Sequence, residues 1–273
     1  MRIAGVQTRI GCDVSESLKI AGDFIKKVQG DIICLPELFS TGVLKEDAVN
    51  FTENLSDDDS EVSNFLKNKA IEKGSYLIGG LIEYNENSPG APYNSAVVFS
   101  PLGDLVGNYR KIKLFTYDDE HRFYSPGKRA FHFSVPGEFL KRKQADCGIS
   151  FDTEDIRVGV MICYDLRFPE IARSLVKEGV EIIFVPANWP AVRAGHWKCL
   201  LKARAIENMC YFAGVNCTGK KDDGLELAGN SMIVGPIGEI VSEADDKEGL
   251  IEGEIDIKKL RELREDFNFF RDI

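Results

Sequence analysis

Residues 157–190 read RVGVMICYDLRFPEIARSLVKEGVEIIFVPANWP, and the fold follows from this stretch. RVGVMIC is an apolar run of strand length, FPEIARSLVKEG has the spacing of an amphipathic helix, and EIIFVPAN is a second strand-like run. Together they predict a right-handed βαβ unit. The same order occurs near the start of the chain, where RIAGVQT (2–8) and DIICLPE (31–37) flank the helical stretch SESLKIAGDFIKKV (15–28). Each half later adds a hairpin, SAVVFSPLGDLVGNYRK (95–111) and NSMIVGPIGEIVSEA (230–244). Pro101 and Pro236 open their turns, and Gly103 and Gly238 allow positive φ. This internal repeat points to two similar mixed sheets. Strands that are apolar along their whole length must be covered on both faces, which predicts an α/β fold, a four-layer αββα sandwich with the helices outside.

Cys163 sits where the first strand of the quoted unit turns into its helix. In open α/β sheets that position faces the ligand crevice, and a helix start there would favour thiolate. Glu37 and Lys111 lie at the ends of two other predicted strands. Taken singly, each of the three has an ordinary reading as a core thiol, a solvated loop acid and a solvated lysine. Their shared placement at strand ends gives them a common destination.

Composition narrows the classes. At 273 residues, 44% hydrophobic and 29% charged, the chain suits one large α/β domain over residues 1–273. A net charge of −10 with no basic stripe is wrong for nucleic acid. The three histidines, His121, His132 and His196, lack metal-site spacing, so neither a metal nor another cofactor is expected. Nucleotide-binding glycine motifs are absent, and GNSMIVG does not match the GxSxG elbow of serine hydrolases. Seven cysteines without a CxxC pair fit a reducing, cytoplasmic setting, and no stretch reads as a leader or a membrane span.

The segments around these residues resemble the nitrilase superfamily of carbon–nitrogen hydrolases, whose members carry a Glu-Lys-Cys triad in that chain order. The resemblance runs from GVQT (5–8) to GLIEGEID (249–256). CYDLRFPE (163–170), ANWP (187–190) and ARAIEN (203–208) are similar to the omega-amidase branch, which cleaves amides of 2-oxo acids. The resemblance implies Cys163 as nucleophile, Glu37 as general base and Lys111 facing the oxyanion with the backbone N–H of Tyr164. Glu120 resembles a second glutamate that orients lysine and substrate, with a lid salt bridge as its alternative. One departure is Lys113, where relatives often have histidine.

For a small amide substrate carrying a carboxylate, Arg167 is the candidate cation, although it could instead pair with Asp165 or Glu207. Asn188 and Trp189 are candidate pocket walls. Asn94 and Tyr93, at the end of the turn-rich NENSPGAPYN (85–94), read as local turn residues that could approach the site. Segment 115–133, FTYDDEHRFYSPGKRAFHF, reads as a lid, and the acidic run at 57–59 as a helix start. The tail KKLRELREDFNFFRDI, with Phe267, Phe269 and Phe270, is expected at a homodimer interface spanning residues 257–273. Nitrile or N-carbamoyl amine hydrolysis would use the same triad, and a non-catalytic ligand-binding member of the fold is the alternative outside enzymes.

Overall fold

The computed structural model describes residues 1–57, 60–144, 154–221 and 224–267. The first half runs β1 (Arg2–Gln7), α1 (Val14–Ile25), β2 (Ile32–Cys34), α2 (Glu61–Lys73), β3 (Tyr76–Glu83), β4 (Tyr93–Phe99) and β5 (Leu105–Arg110). The second runs β6 (Phe131–Val135), α3 (Gly137–Gln144), β7 (Ile156–Val160), α4 (Pro169–Lys177), β8 (Ile182–Ala187), α5 (Ala194–Asn208) and β9 (Tyr211–Asn216). A small ribbon of β10 (Thr218–Lys220) and β11 (Glu226–Ala228) precedes β12 (Met232–Val234), β13 (Ile240–Glu243), β14 (Gly249–Glu254) and α6 (Ile257–Asp266).

The repeat read from the sequence is realised strand for strand. One six-stranded sheet has the order β14-β1-β2-β3-β4-β5 and the other β6-β7-β8-β9-β12-β13. The pairing senses match along both: antiparallel, parallel, parallel, antiparallel, antiparallel. Even the register shift in the hairpin recurs, at Val98/Phe99 and at Ile233/Val234. Gly103 and Gly238 turn these hairpins at φ +87° and +88°, as a residue without Cβ permits.

Alternation along the strands assigns the layers. Ile32, Cys34, Ile78, Ala96 and Val98 pack into one core with Val158, Val160 and Phe184 of the other sheet. Ile33, Leu35, Leu77 and Val97 face the opposite way, against Ala21 and Ile25 of α1 and Leu66 and Ala70 of α2. Burial on both faces explains why these strands read as unbroken apolar runs, and it gives the predicted four layers.

Two expectations change. Segment 115–133 is not one lid: it forms two short helical turns, Thr116–Asp118 and Glu120–Arg122, and its last three residues belong to edge strand β6. The turn-rich 85–94 ends inside β4, so Tyr93 and Asn94 are strand residues; Tyr93 stacks 4.1 Å from the Arg110 guanidinium. Helix α6 packs against the rest of the chain, burying Ile257 and Leu260 and pairing Arg261 with Glu181. Phe267 is exposed, while Phe269 and Phe270 lie outside the described residues, as do Asp58 and Asp59 of the acidic run. Helix α2 begins after Ser60.

Candidate active site

Four strands end at one place. Glu37 follows β2, Lys111 follows β5, Cys163 follows β7 and Asn188 follows β8, so both sheets deliver side chains to a common rim. Strand β2 leaves its ladder after Cys34, earlier than the sequence suggested, and Leu35 donates its N–H to the Ile78 carbonyl as the chain turns inward. The turn presses against β3: a Cβ on Gly80 would stand 2.3 Å from the Leu38 nitrogen and 3.0 Å from the Glu37 backbone. Only a glycine there leaves Glu37 its position. Leu38 and Cys163 both hold positive φ, +43° and +45°, in conformations that L residues rarely adopt.

Glu37, Lys111, Glu120 and Asn94 form a buried cluster in which none is more than 2% exposed. The Lys111 ammonium donates to Glu37 Oε1 at 2.8 Å and to Glu120 Oε1 and Oε2 at 3.0 and 2.9 Å. Asn94 Nδ2 spans the same two carboxylates at 2.8 and 2.9 Å. Asn188 donates its backbone N–H to Glu37 Oε2 at 2.8 Å and its amide to the Glu37 carbonyl at 2.5 Å. Phe115 N–H holds Glu120 Oε2 at 2.6 Å. The Oδ1 atoms of Asn94 and Asn188 are buried acceptors without a donor among the described residues.

Burial pushes the Glu37 carboxyl up, but the charge and hydrogen bond of Lys111, with the bonds from Asn94 and the Cys163 thiol, outweigh it and hold the carboxyl below its ordinary value. Burial alone would strip Lys111 of its proton; Glu120 and Glu37 reverse this and hold it well above the ordinary lysine value. The thiol of Cys163 goes the other way from the sequence expectation. Burial and the Glu37 charge push it well above an ordinary cysteine, against the lesser pull of Lys111 and the Asn188 N–H. Cys163 opens a short 3-10 turn, Cys163–Arg167, and the helix expected to follow it directly, α4, starts only at Pro169. Tyr164 is the second residue of that turn, where an N–H has no carbonyl of its own helix to meet.

Asp165, read from the sequence only as a possible partner of Arg167, ties the two sheets together instead. Its fully buried carboxylate accepts from Ile162 N–H at 2.9 Å, Lys113 N–H at 2.8 Å and Tyr109 O–H at 2.8 Å. It thereby clamps the Lys111 loop to the Cys163 turn. Burial raises this carboxyl to about 6 despite those three donors and nearby Lys111. Glu207 pairs with Arg204. Arg167 is thus left to stack 4.6 Å over the Trp189 ring, with Tyr164 at 6.0 Å and His196 Nδ1 at 3.5 Å. Trp189 is itself core, 5.4 Å from Trp197, showing Arg167 one face. Among the described residues, no group of three or more metal-ligating side chains gathers, and no helix is long and apolar enough to cross a membrane.

The sequence patterns that led to Glu37, Lys111 and Cys163 extend over nearly the whole chain: a model of the carbon–nitrogen hydrolases matches residues 2–265. The chain belongs to the carbon–nitrogen hydrolase family. Among relatives of this hydrolase, a 2-oxoglutaramate amidase of Bacillus subtilis is 35% identical over 95% of this chain and 92% of its own. An omega-amidase of Homo sapiens is 34% identical over 99% of this chain and 94% of its own. A superfamily protein of Xanthomonas campestris, crystallised with an arsenic adduct in its active site, superposes with a TM-score of 0.85 at 26% identity, covering 100% of this chain and 97% of that one. Membership makes this protein an amide-hydrolysing enzyme with the nitrilase-type two-sheet fold.

Proposed function

We propose that this hydrolase cleaves the ω-amide of a 2-oxo dicarboxylic acid, 2-oxoglutaramate being the type substrate, through a Cys163 thioester. The reading rests on the buried Glu37–Lys111–Glu120–Asn94 cluster set against the Cys163 thiol, together with relatives named for that substrate or as omega-amidases. The raised thiol is protonated at rest, so a base must take its proton as sulfur attacks. Glu37, low and ionised, is in reach.

Sulfur bonds to the amide carbon while the thiol proton passes to Glu37. Lys111 and the Tyr164 N–H face the oxygen that becomes negative, where one well-placed donor contributes about 3–4 kcal/mol. Collapse breaks the C–N bond, and the Glu37 proton leaves with ammonia. Water then attacks the thioester, giving a proton to Glu37 that returns to Cys163 sulfur as the acid departs. Glu120 holds Lys111 in place, and the donorless oxygens of Asn94 and Asn188 suit the N–H groups of an incoming amide. Arg167 would bind the distal carboxylate, with Asn188 and Trp189 as walls.

Ammonia release from 2-oxoglutaramate, beside a nitrile, an N-carbamoyl amine and glutamine, with Cys163→Ala as blank, tests the proposal. Cys163-dependent turnover of another compound but not of 2-oxoglutaramate would reject the substrate; silence on all would favour a ligand-binding role. We further read residues 1–273 as one domain of a cytoplasmic homodimer, with residues 257–273 at the interface. The six free cysteines among the described residues suit a reducing compartment. A chain cut after Arg264 that kept its dimeric mass would remove the tail from that interface.

A further inference from the structure

The surroundings of Arg167 hold more positive charge than one carboxylate requires. Arg193, half-buried at the start of α5, has its guanidinium 5.0 Å from the Tyr117 ring and 5.9 Å from that of Phe115. Phe115 in turn lies 4.9 Å from the Tyr164 ring, beside the nucleophile, and its N–H holds Glu120. The loop is pinned from within, because Trp189 Nε1 donates to the Arg193 carbonyl at 2.9 Å. Lys113 stands 4.8 Å over the Phe168 ring, whose edge meets Tyr164 at 5.3 Å. Three cations therefore ring one aromatic patch made by Phe115, Tyr117, Tyr164, Phe168 and Trp189.

None of the three has an acidic partner within ion-pair distance among the described residues, and several nearby acids are engaged elsewhere. Asp118 pairs with Lys45, Asp119 with Arg122, Glu120 with Lys111 and Glu207 with Arg204, while Asp165 accepts from Tyr109 and two backbone N–H groups. In a chain of net charge −10, carboxylates to neutralise three cations are plentiful, yet none pairs with these among the described residues. Burial and the proximity of Arg193 both depress the Arg167 proton affinity, which marks the two guanidiniums as mutually repelling. Uncompensated, stacked guanidiniums that repel each other favour an anion between them, and arginine offers planar, paired donors for it.

We propose that Arg193, with Lys113, completes an anion-selecting entrance around Arg167, so that the site admits linear amides whose far end bears a carboxylate and disfavours neutral ones. This deepens the substrate reading above and rests on it for the amide, while the charge selection is separable from turnover. A positive, partly desolvated mouth raises local anion concentration and biases encounter, an effect that added salt erodes.

The test compares alkylation of Cys163 by iodoacetate, an anion, and by neutral iodoacetamide, followed by mass spectrometry on the Cys163 peptide. Arg193→Gln and Lys113→Gln should each lower the iodoacetate-to-iodoacetamide rate ratio about fivefold at low salt, and Arg193→Lys should restore most of it. The iodoacetamide rate reports that each variant still presents a folded site. With 2-oxoglutaramate, Arg193→Gln should raise KM about tenfold while kcat moves less. A ratio within twofold of the unmodified protein in both glutamine variants overturns the entrance. If the ratio responds but the unmodified protein leaves 2-oxoglutaramate intact, the entrance stands and the amidase substrate falls.

Discussion

Replacing Lys111 by methionine keeps most of the side-chain stem and removes its charge from between Glu37 and Glu120. Each contact, 2.8 and 2.9 Å long, is worth about 6 kcal/mol of attraction at an effective dielectric of 20. Desolvation of all three groups offsets most of that sum, and removing one partner of a buried pair leaves a loss of about 3–5 kcal/mol. The loss should depend on pH. In the unmodified protein the Glu37 carboxyl lies below its ordinary 4.5, so its contribution is present above pH 4.5 and is lost as pH falls through the folded value. Without the ammonium, burial dominates and the carboxyl rises. Its stabilising proton is then present below pH 4.5 and lost as pH climbs through the new folded value. Urea unfolding followed by the fluorescence of Trp189 and Trp197 should show the full loss at pH 8 and about 1–2 kcal/mol at pH 5, where a shared proton replaces the cation. Equal losses at the two pH values would refute the argument that paired charge, rather than packing of the lysine stem, holds this cluster.

Glu37→Gln should abolish hydrolysis and slow iodoacetamide alkylation of Cys163 at pH 7.5, because burial still holds the thiol protonated and the base that takes its proton is gone; faster alkylation would mean that the Glu37 charge serves only to keep the proton on sulfur. Tyr109→Phe removes one of three donors to Asp165, with an expected cost of about 1.5–3 kcal/mol in urea unfolding. It should also push the Asp165 carboxyl above about 6 and move an acid limb of kcat/KM toward neutrality; an unmoved pH profile would confine Asp165 to packing. Gly80→Ala drives a Cβ into the Leu38 nitrogen and should lower kcat far more than it lowers stability, about 1–3 kcal/mol, as read by ammonia release and unfolding on the same preparation.

Much of this was legible in the chain because it depends on local pattern. Two βαβ units and two hairpins repeat in order, and apolar runs without alternation say that a strand is covered on both faces, so the four layers follow from periodicity. Glu37, Lys111 and Cys163 could be singled out because they fall at recognisable strand ends and their flanks resemble a known family's Glu-Lys-Cys order. Asn94 was hidden by its neighbours: the stretch before it is rich in turn residues, and nothing local says that β4 starts one residue earlier and aims this amide at two carboxylates. Asp165 read as a companion of the arginine two positions on, whereas its partners are 56 and 52 residues away in the other half of the molecule.

The sequence by itself determined the element order, the internal repeat and the burial of both sheet faces, and it placed Glu37, Lys111 and Cys163 at strand ends. These rest on side-chain periodicity and residue type, which the chain carries locally. The tertiary structure alone decided the signs of the charges. Whether Glu37 sits high or low, whether Cys163 rests as thiol, and whether Arg167 is paired or free are balances of desolvation against Coulomb terms between groups from both sheets. Those terms vary with distances of a few ångströms that exist only once the two halves have packed.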